Sequence, residues 1–202
     1  MKKIIHITIL LHLLAIKIIA QQYSVNITSA ASYCDNYFTS DALNSAVIKT
    51  TDKPLKFYDA RMGFKLGVVV NRNIYKNIGL NLEVGYALGG FRLPKNGYNN
   101  INIFNVHQLY AVLAPQIKFF KHLNIAIGGF SNANLFYTKY TGSQKITEKV
   151  NFGSVIKLSY QVDKFNIGMR YFNYKTPFYK NRDIKEYWKT FDLVLSYRLF
   201  NF

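Results

Sequence analysis

The sequence predicts an all-β chain, an eight-stranded antiparallel up-and-down transmembrane β-barrel. Three observations carry that expectation. Apolar residues alternate with small or polar ones at a period of two through most of the chain after residue 22. The connections between these runs alternate strictly between long and short. The face opposite the apolar one carries glycines and isolated charges, where a soluble sheet would show many Lys, Glu and Thr.

Met1 to Ala20 comes first and reads as a secretory signal peptide, leaving residues 21–202 as a single barrel domain. Lys2 and Lys3 give the positive start, Ile4 to Ile16 is mostly apolar, and Ile18-Ile19-Ala20 precedes Gln21-Gln22. An uncleaved membrane anchor is the competing reading, but His6, His12 and Lys17 interrupt a stretch already short for a span. Removing the leader leaves 23 basic against 10 acidic residues, a net +13.

The strands follow in order. Tyr23 to Tyr33 is a weak first strand. Met62, Phe64, Leu66, Val68 and Val70 form the apolar face of the second, against Gly63, Lys65, Gly67, Val69 and Asn71. The third, Asn77 to Gly89, is the clearest: Ile78, Leu80, Leu82, Val84, Tyr86 and Leu88 face Asn77, Gly79, Asn81, Glu83, Gly85, Ala87 and Gly89. Its 13 residues are long for a soluble sheet but suit a tilted membrane strand. Val106 to Phe119 is a fourth strand that Pro115 is expected to interrupt. Leu123 to Gly128, Phe152 to Gln161, Phe165 to Tyr171 and Phe191 to Leu199 complete the eight.

The connections run about 35–60, 73–76, 94–104, 120–121, 139–148, 163–164 and 174–189. An even strand count with all long loops at one end, short turns at the other and both termini on the short-turn side is the layout of a bacterial outer-membrane barrel. Lys76, Lys121 and Lys164 each open an upward strand, 45 and 43 residues apart, and are expected at phospholipid headgroups. Aromatic residues near strand ends are expected to form two interfacial girdles: Tyr23, Tyr33, Phe57, Tyr58, Tyr75, Phe91, Phe119, Phe120, Phe136, Tyr137, Tyr171, Phe172, Trp188, Phe191, Phe200 and Phe202.

Composition removes other classes. Sixteen Tyr and sixteen Phe exclude a disordered chain. After residue 20 no apolar run is long enough for a transmembrane helix, and a single cysteine, Cys34, excludes a disulfide framework or a Cys-rich zinc site. The net charge of +16 invites a nucleic-acid reading. Most of the basic residues lie in loops and strand ends, however, where they meet lipopolysaccharide phosphates instead. The aromatics are expected to share the lipid-facing parity and the strand charges the opposite one, which argues against a stacking platform for bases.

At this point the residues resemble a known family. The run Gly79-Leu80-Asn81-Leu82-Glu83-Val84-Gly85-Tyr86, continuing to Gly90, resembles the third strand of the small outer-membrane β-barrel domain of Bacteroidetes, the PorT-like group. Leu109-Tyr110-Ala111-Val112-Leu113-Ala114-Pro115-Gln116-Ile117-Lys118 is similar to that family's next strand, and Leu123 to Gly129 to the one after. Two departures are Gly129-Phe130 where the family often has Gly-Pro, and the lack of its acidic residue before the strand-four Pro. The resemblance spans roughly residues 22–202 and implies a membrane barrel with no stated activity. A terminal Phe202 fits recognition by the outer-membrane assembly machinery, although its parity requires the last residues to twist or bulge.

The candidate site is a structural lumen charge network of Lys65, Glu83, Lys157, Arg170, Asp192 and Arg198, since an eight-stranded barrel is just wide enough for side chains to fill. Counting back from a turn at 73–76 places Glu83 opposite or diagonal to Lys65. Lys157 falls near Arg170, so Asp192 or Glu83 must compensate. No catalytic, cofactor or metal site is expected. The alternatives are a periplasmic soluble β-sandwich or lipocalin-like binding protein, and a lipid-modifying barrel enzyme built on His107, Ser131 and Asp35. Expected partners are outer-membrane lipids, lipopolysaccharide phosphates, the assembly machinery and a protein at the 35–60 loop, with no nucleic acid. The sequon Asn26-Ile27-Thr28 lies on a strand and reads as chance.

Overall fold

The computed structural model of the chain describes residues 23–40, 60–92, 103–139, 149–177, 179–180 and 184–201. The strands among them are β1 (Tyr23–Ser40), β2 (Arg61–Tyr75), β3 (Ile78–Arg92), β4 (Ile103–Phe119), β5 (Leu123–Lys139), β6 (Val150–Val162), β7 (Phe165–Tyr174), β8 (Tyr179–Lys180) and β9 (Ile184–Asn201). Neighbours pair antiparallel from β1 to β7, β7 pairs with β9, and β9 returns to β1. Eight long strands thus close a barrel. The two-residue β8 is an addition to the expected set, laid beside β9 at Lys185 and Glu186.

Parity sorts the side chains as the alternation requires. Leu66, Val84, Leu113, Ile156 and Leu193 are each at least half exposed on the outside, as are their counterparts on the other strands. A soluble monomer rarely exposes an apolar patch beyond a few hundred Å². Here apolar side chains cover the outer face of every long strand, which is the surface that hydrocarbon requires and water penalises.

The strand bounds outrun the alternation. Residues 35–40, read from sequence as the start of a loop, prolong β1 and pair with Ile184 to Lys189 of β9. A ladder that runs past the lipid-facing stripe needs no apolar alternation, so its backbone pairing continues without a period-two trace. Residues 41–59, in the expected first loop, lie outside the described residues, as do residues 1–22, which include the expected leader, and Phe202. Pro115 keeps its place opposite Leu80 on β3, while the β4–β5 register passes from Leu113–Gly129 directly to Gln116–Ala126. Proline has no N–H to donate, and the ladder is broken on one side only.

The short turns lie at Lys76-Asn77, around Phe120-Lys121-His122 and at Asp163-Lys164. Lys76, Phe120, Lys121 and Asp163 hold φ of 40, 48, 64 and 51°, the left-handed region that tight hairpins demand and that non-glycine residues enter at a cost. The first turn therefore sits a few residues later than 73–76, with an irregularity between Asn73 and Tyr75. At the far end of β9 the register slips between Val25–Phe200 and Asn26–Arg198, so that Leu199 is passed over. This bulge turns Leu199 and Phe200, consecutive residues, both outward.

The girdle needs one correction. Tyr33, Tyr75, Phe119, Phe120, Tyr171, Phe191 and Phe200 are on the outside, but Phe172 and Trp188 are buried in the lumen together with Tyr110, Phe130 and Tyr174. Phe172 shares the parity of Arg170, and Trp188 that of Asp192, so alternation itself assigns them inward.

Rings of this size fit because glycines stand beneath them. A Cβ on Gly85 would lie 2.2 Å from the Leu66 carbonyl oxygen and 2.8 Å from the Tyr110 ring, whereas a Cβ on Gly129 would meet nothing nearer than 3.7 Å. Gly85→Val is expected to destabilise the barrel by about 1–3 kcal/mol through overpacking. Gly129→Ala should stay within about 0.5 kcal/mol. Urea unfolding of the two variants in the same micelles checks the difference.

Candidate functional site: the barrel lumen

From the short turns upward, the lumen changes character in layers. The lowest is a polar cavity of about 220 Å³ lined by Asn26, Thr28, Asn71, Gln116, Lys118, Ser196 and Arg198 among others. Above it is a belt of buried charge, then a cluster of aromatic rings, then a ladder of amides toward the long-loop end.

The charge belt is a chain of alternating sign. Lys65 Nζ lies 3.0 Å from Asp192 Oδ2 and donates also to Thr190 Oγ1 at 3.2 Å. Arg170 donates from Nε to the same Asp192 oxygen at 3.1 Å and from Nη1 to Glu83 Oε1. Lys157 Nζ completes the chain, 2.6 Å from Glu83 Oε2 and 2.5 Å from Asn81 Oδ1. Tyr110 donates its hydroxyl to Glu83 Oε1 at 2.7 Å. Three cations share two carboxylates, and the surplus positive charge lies against π-electrons: Lys65 Nζ sits 3.7 Å from the centroid of Phe172.

The alternation placed Lys65, Glu83, Lys157, Arg170 and Asp192 in the lumen, and the structure brings these five together. The pairing differs from the expected one. Lys65 stands opposite Ala87, and Glu83 opposite Val69, so the two are not cross-strand neighbours. The later turn shifts the β2–β3 register, and Lys65 reaches across the lumen to Asp192 instead. Lys157 does stand directly opposite Arg170, and Glu83 bridges them. Arg198 stays out of the chain; it lines the lower cavity.

Phe172 and Tyr174 pack edge-on against Phe130 at centroid distances of 5.0 and 4.8 Å, and Tyr174 lies 6.1 Å from Trp188. These four rings are essentially sealed from solvent and close the lumen above the charges. Higher still, Asn132 donates to Tyr174 Oη at 2.6 Å and to Gln108 Oε1 at 3.0 Å, Gln108 donates to Asn134 Oδ1 at 2.7 Å, and Asn134 to Asn151 Oδ1 at 3.0 Å. No charge in the sequence marked this amide layer; its signal is Gln or Asn at lumen parity on β4, β5 and β6.

The residues weighed for catalysis do not converge. His107 bonds through Nδ1 to the Tyr86 hydroxyl on the outer face. Ser131 stands opposite Ala111, four residues down the strand from His107, and Asp35 is on β1, opposite Lys189 of β9. No group of three metal-ligating side chains forms among the described residues. Asn26 of the sequon points into the lumen, 2% exposed.

Buried ion pairs in such a setting are fragile to the loss of one member, because the other is left charged and unmatched. Glu83→Ala should therefore lower stability by about 3–5 kcal/mol, and the loop change Asp52→Ala by no more than about 0.5 kcal/mol. Coincident urea midpoints would refute a structural role for the network. A Lys65→Met, Asp192→Asn double-mutant cycle should give a coupling of at least about 1 kcal/mol.

No protein-family model and no curated protein matches the sequence. Among solved structures, the outer membrane protein OprG from Pseudomonas aeruginosa matches with a TM-score of 0.52 at 9% identity, over 89% of this chain and 96% of that one. Neisserial surface protein A matches with a TM-score of 0.49 at 12% identity, over 87% and 97%. Ail, the attachment invasion locus protein of Yersinia pestis, matches with 0.46 at 12%, over 89% and 99%. At such identities the likeness is one of fold. With its apolar exterior, closed ladder and polar packed lumen, the chain is an integral eight-stranded β-barrel of the outer-membrane type.

Proposed function

We propose that the protein is exported behind its 1–20 leader and resides in a bacterial outer membrane as a barrel whose lumen is structural and whose outward loops bind. The filled lumen carries this reading: the ion-pair chain, the four rings and the amide ladder occupy the space that a conducting pore would need. Function then falls to the long connections, where Lys49, Lys53, Lys56, Lys95, Lys145 and Lys149 supply positive charge for lipopolysaccharide phosphates. The 35–60 segment, with Leu43, Val47 and Ile48 among polar residues, is the place for a protein partner. Kinship with the PorT-like barrels of Bacteroidetes rests on residues 79–90 and 109–118, and the outer-membrane assembly machinery is the partner that inserts such a barrel. No enzymatic step is assigned.

Fractionation tests the location: the protein should appear in the outer-membrane fraction and migrate faster in SDS before boiling than after. Recovery from the soluble periplasm without a shift would overturn the reading. In planar bilayers the barrel should give no discrete conductance steps. Replacing Lys49, Lys53 and Lys56 together by Gln should weaken binding to lipopolysaccharide vesicles on the order of ten- to a hundredfold at low salt, at about 1 kcal/mol per basic residue.

A further inference from the structure

We infer that the short-turn half of the lumen is a binding site for a phosphate-like oxyanion that also presents a hydroxyl. The cavity there is about 220 Å³, room for about seven waters at about 30 Å³ each. Four cations line it, but Lys157 and Arg170 are taken up by Glu83 and Asp192. Lys118 on β4 and Arg198 on β9 reach the same cavity with no ion-pair partner among the described residues. Two uncompensated cations in one semi-enclosed polar space favour an anion between them.

A second, independent observation sits beside Arg198. Its cross-strand neighbour is Asn26, 2% exposed and facing the same cavity. Arg198 Nε and Asn26 Oδ1 are both buried and both without a hydrogen-bond partner. One is a donor and the other an acceptor. Leaving either unmet costs free energy in the folded barrel, and water or a ligand must satisfy both. The β1–β9 bulge falls between Val25 and Asn26, at this position, where such irregularities commonly re-aim a side chain. A ligand meeting all these groups needs oxygens to accept from Lys118 and Arg198 and a hydroxyl to donate to Asn26. Hydrogen phosphate carries both. So does the monoprotonated phosphate monoester of a lipid headgroup such as that of phosphatidic acid.

The test is a calorimetric titration of inorganic phosphate into the full folded barrel in dodecyl maltoside micelles. Saturable binding near one per barrel is expected. Arg198→Gln and Lys118→Gln should each weaken it by at least about tenfold, while both keep the heat-dependent shift in SDS. Lys121→Gln, on an exposed turn, should change it by less than about twofold. Sulfate, which lacks a hydroxyl at neutral pH, should bind several-fold more weakly. Absence of saturable phosphate binding overturns the site, and an equal loss in Lys121→Gln reduces it to surface electrostatics, which also overturns it. Sulfate binding as tightly as phosphate removes the role of Asn26. Repeating the titration in bilayer discs separates the sources: phosphate excluded by phosphatidic acid discs but not by phosphatidylcholine discs assigns the site to a lipid headgroup, and phosphate bound equally in both assigns it to the free ion.

Discussion

In hydrocarbon no water is available to pair a backbone N–H or C=O, and the rest of this structure follows from that constraint. A sheet meets it by closing, so β9 must return to β1. Closure in turn creates two surfaces of opposite chemistry from one alternating pattern. Every outward position is committed to lipid, and every inward position to a space only a few side chains wide. The +13 charge of residues 21–202 is thereby driven to the loops, the turns and the lumen.

Charges in the lumen are stable only in company. Lys65, Asp192, Arg170, Glu83 and Lys157 come from β2, β9, β7, β3 and β6, and Tyr110 adds β4. Six of the eight barrel strands are thus joined across the interior by one connected chain. Arg170–Asp192 and Tyr110–Glu83 reinforce strands that the ladders already pair, whereas Lys65–Asp192, Arg170–Glu83 and Lys157–Glu83 link strands that they do not. Phe172 has a double part, receiving Lys65 on its face and packing edge-on against Phe130. The charge belt and the aromatic cluster therefore depend on each other's placement.

Parity was legible in the sequence throughout, and register only where the turn was placed correctly, as at Asp163-Lys164, which sets Lys157 opposite Arg170. The run from Ile78 to Leu88 assigns an inside and an outside with no knowledge of its neighbours, because side-chain direction is a property of one strand. Which inward residue meets which depends on the turn. A slip of a few residues at Asn73 to Asn77 removed the expected Lys65–Glu83 pair while leaving both residues in the lumen. The members of the network follow from parity alone, whereas each pairing also depends on the turn that sets the register. Strand length was hidden where the ladder runs past the apolar alternation, as at 35–40, since backbone pairing alone leaves no period-two signal. Phe172 and Trp188 were misassigned by composition, because an aromatic near a strand end suggests a girdle, although their parity pointed inward.

The two halves of the lumen differ because the chain spends its volume unequally. Above the charge belt, Phe130, Phe172, Tyr174 and Trp188 fill the cross-section, with Gly85 and Gly153 giving the rings room. Below it the inward residues include Thr28, Gly79, Ala126, Gly168 and Ser196, too small to meet in the middle. A barrel of fixed strand number cannot narrow to absorb the difference, so a cavity remains where the side chains are short. Its lining reaches Asn73, Asn77 and Asn201 at the turn end, while the rings seal the opposite side. Among the described residues, exchange between this cavity and solvent therefore runs through the short-turn face, and a molecule held by Lys118, Arg198 and Asn26 would communicate with that side.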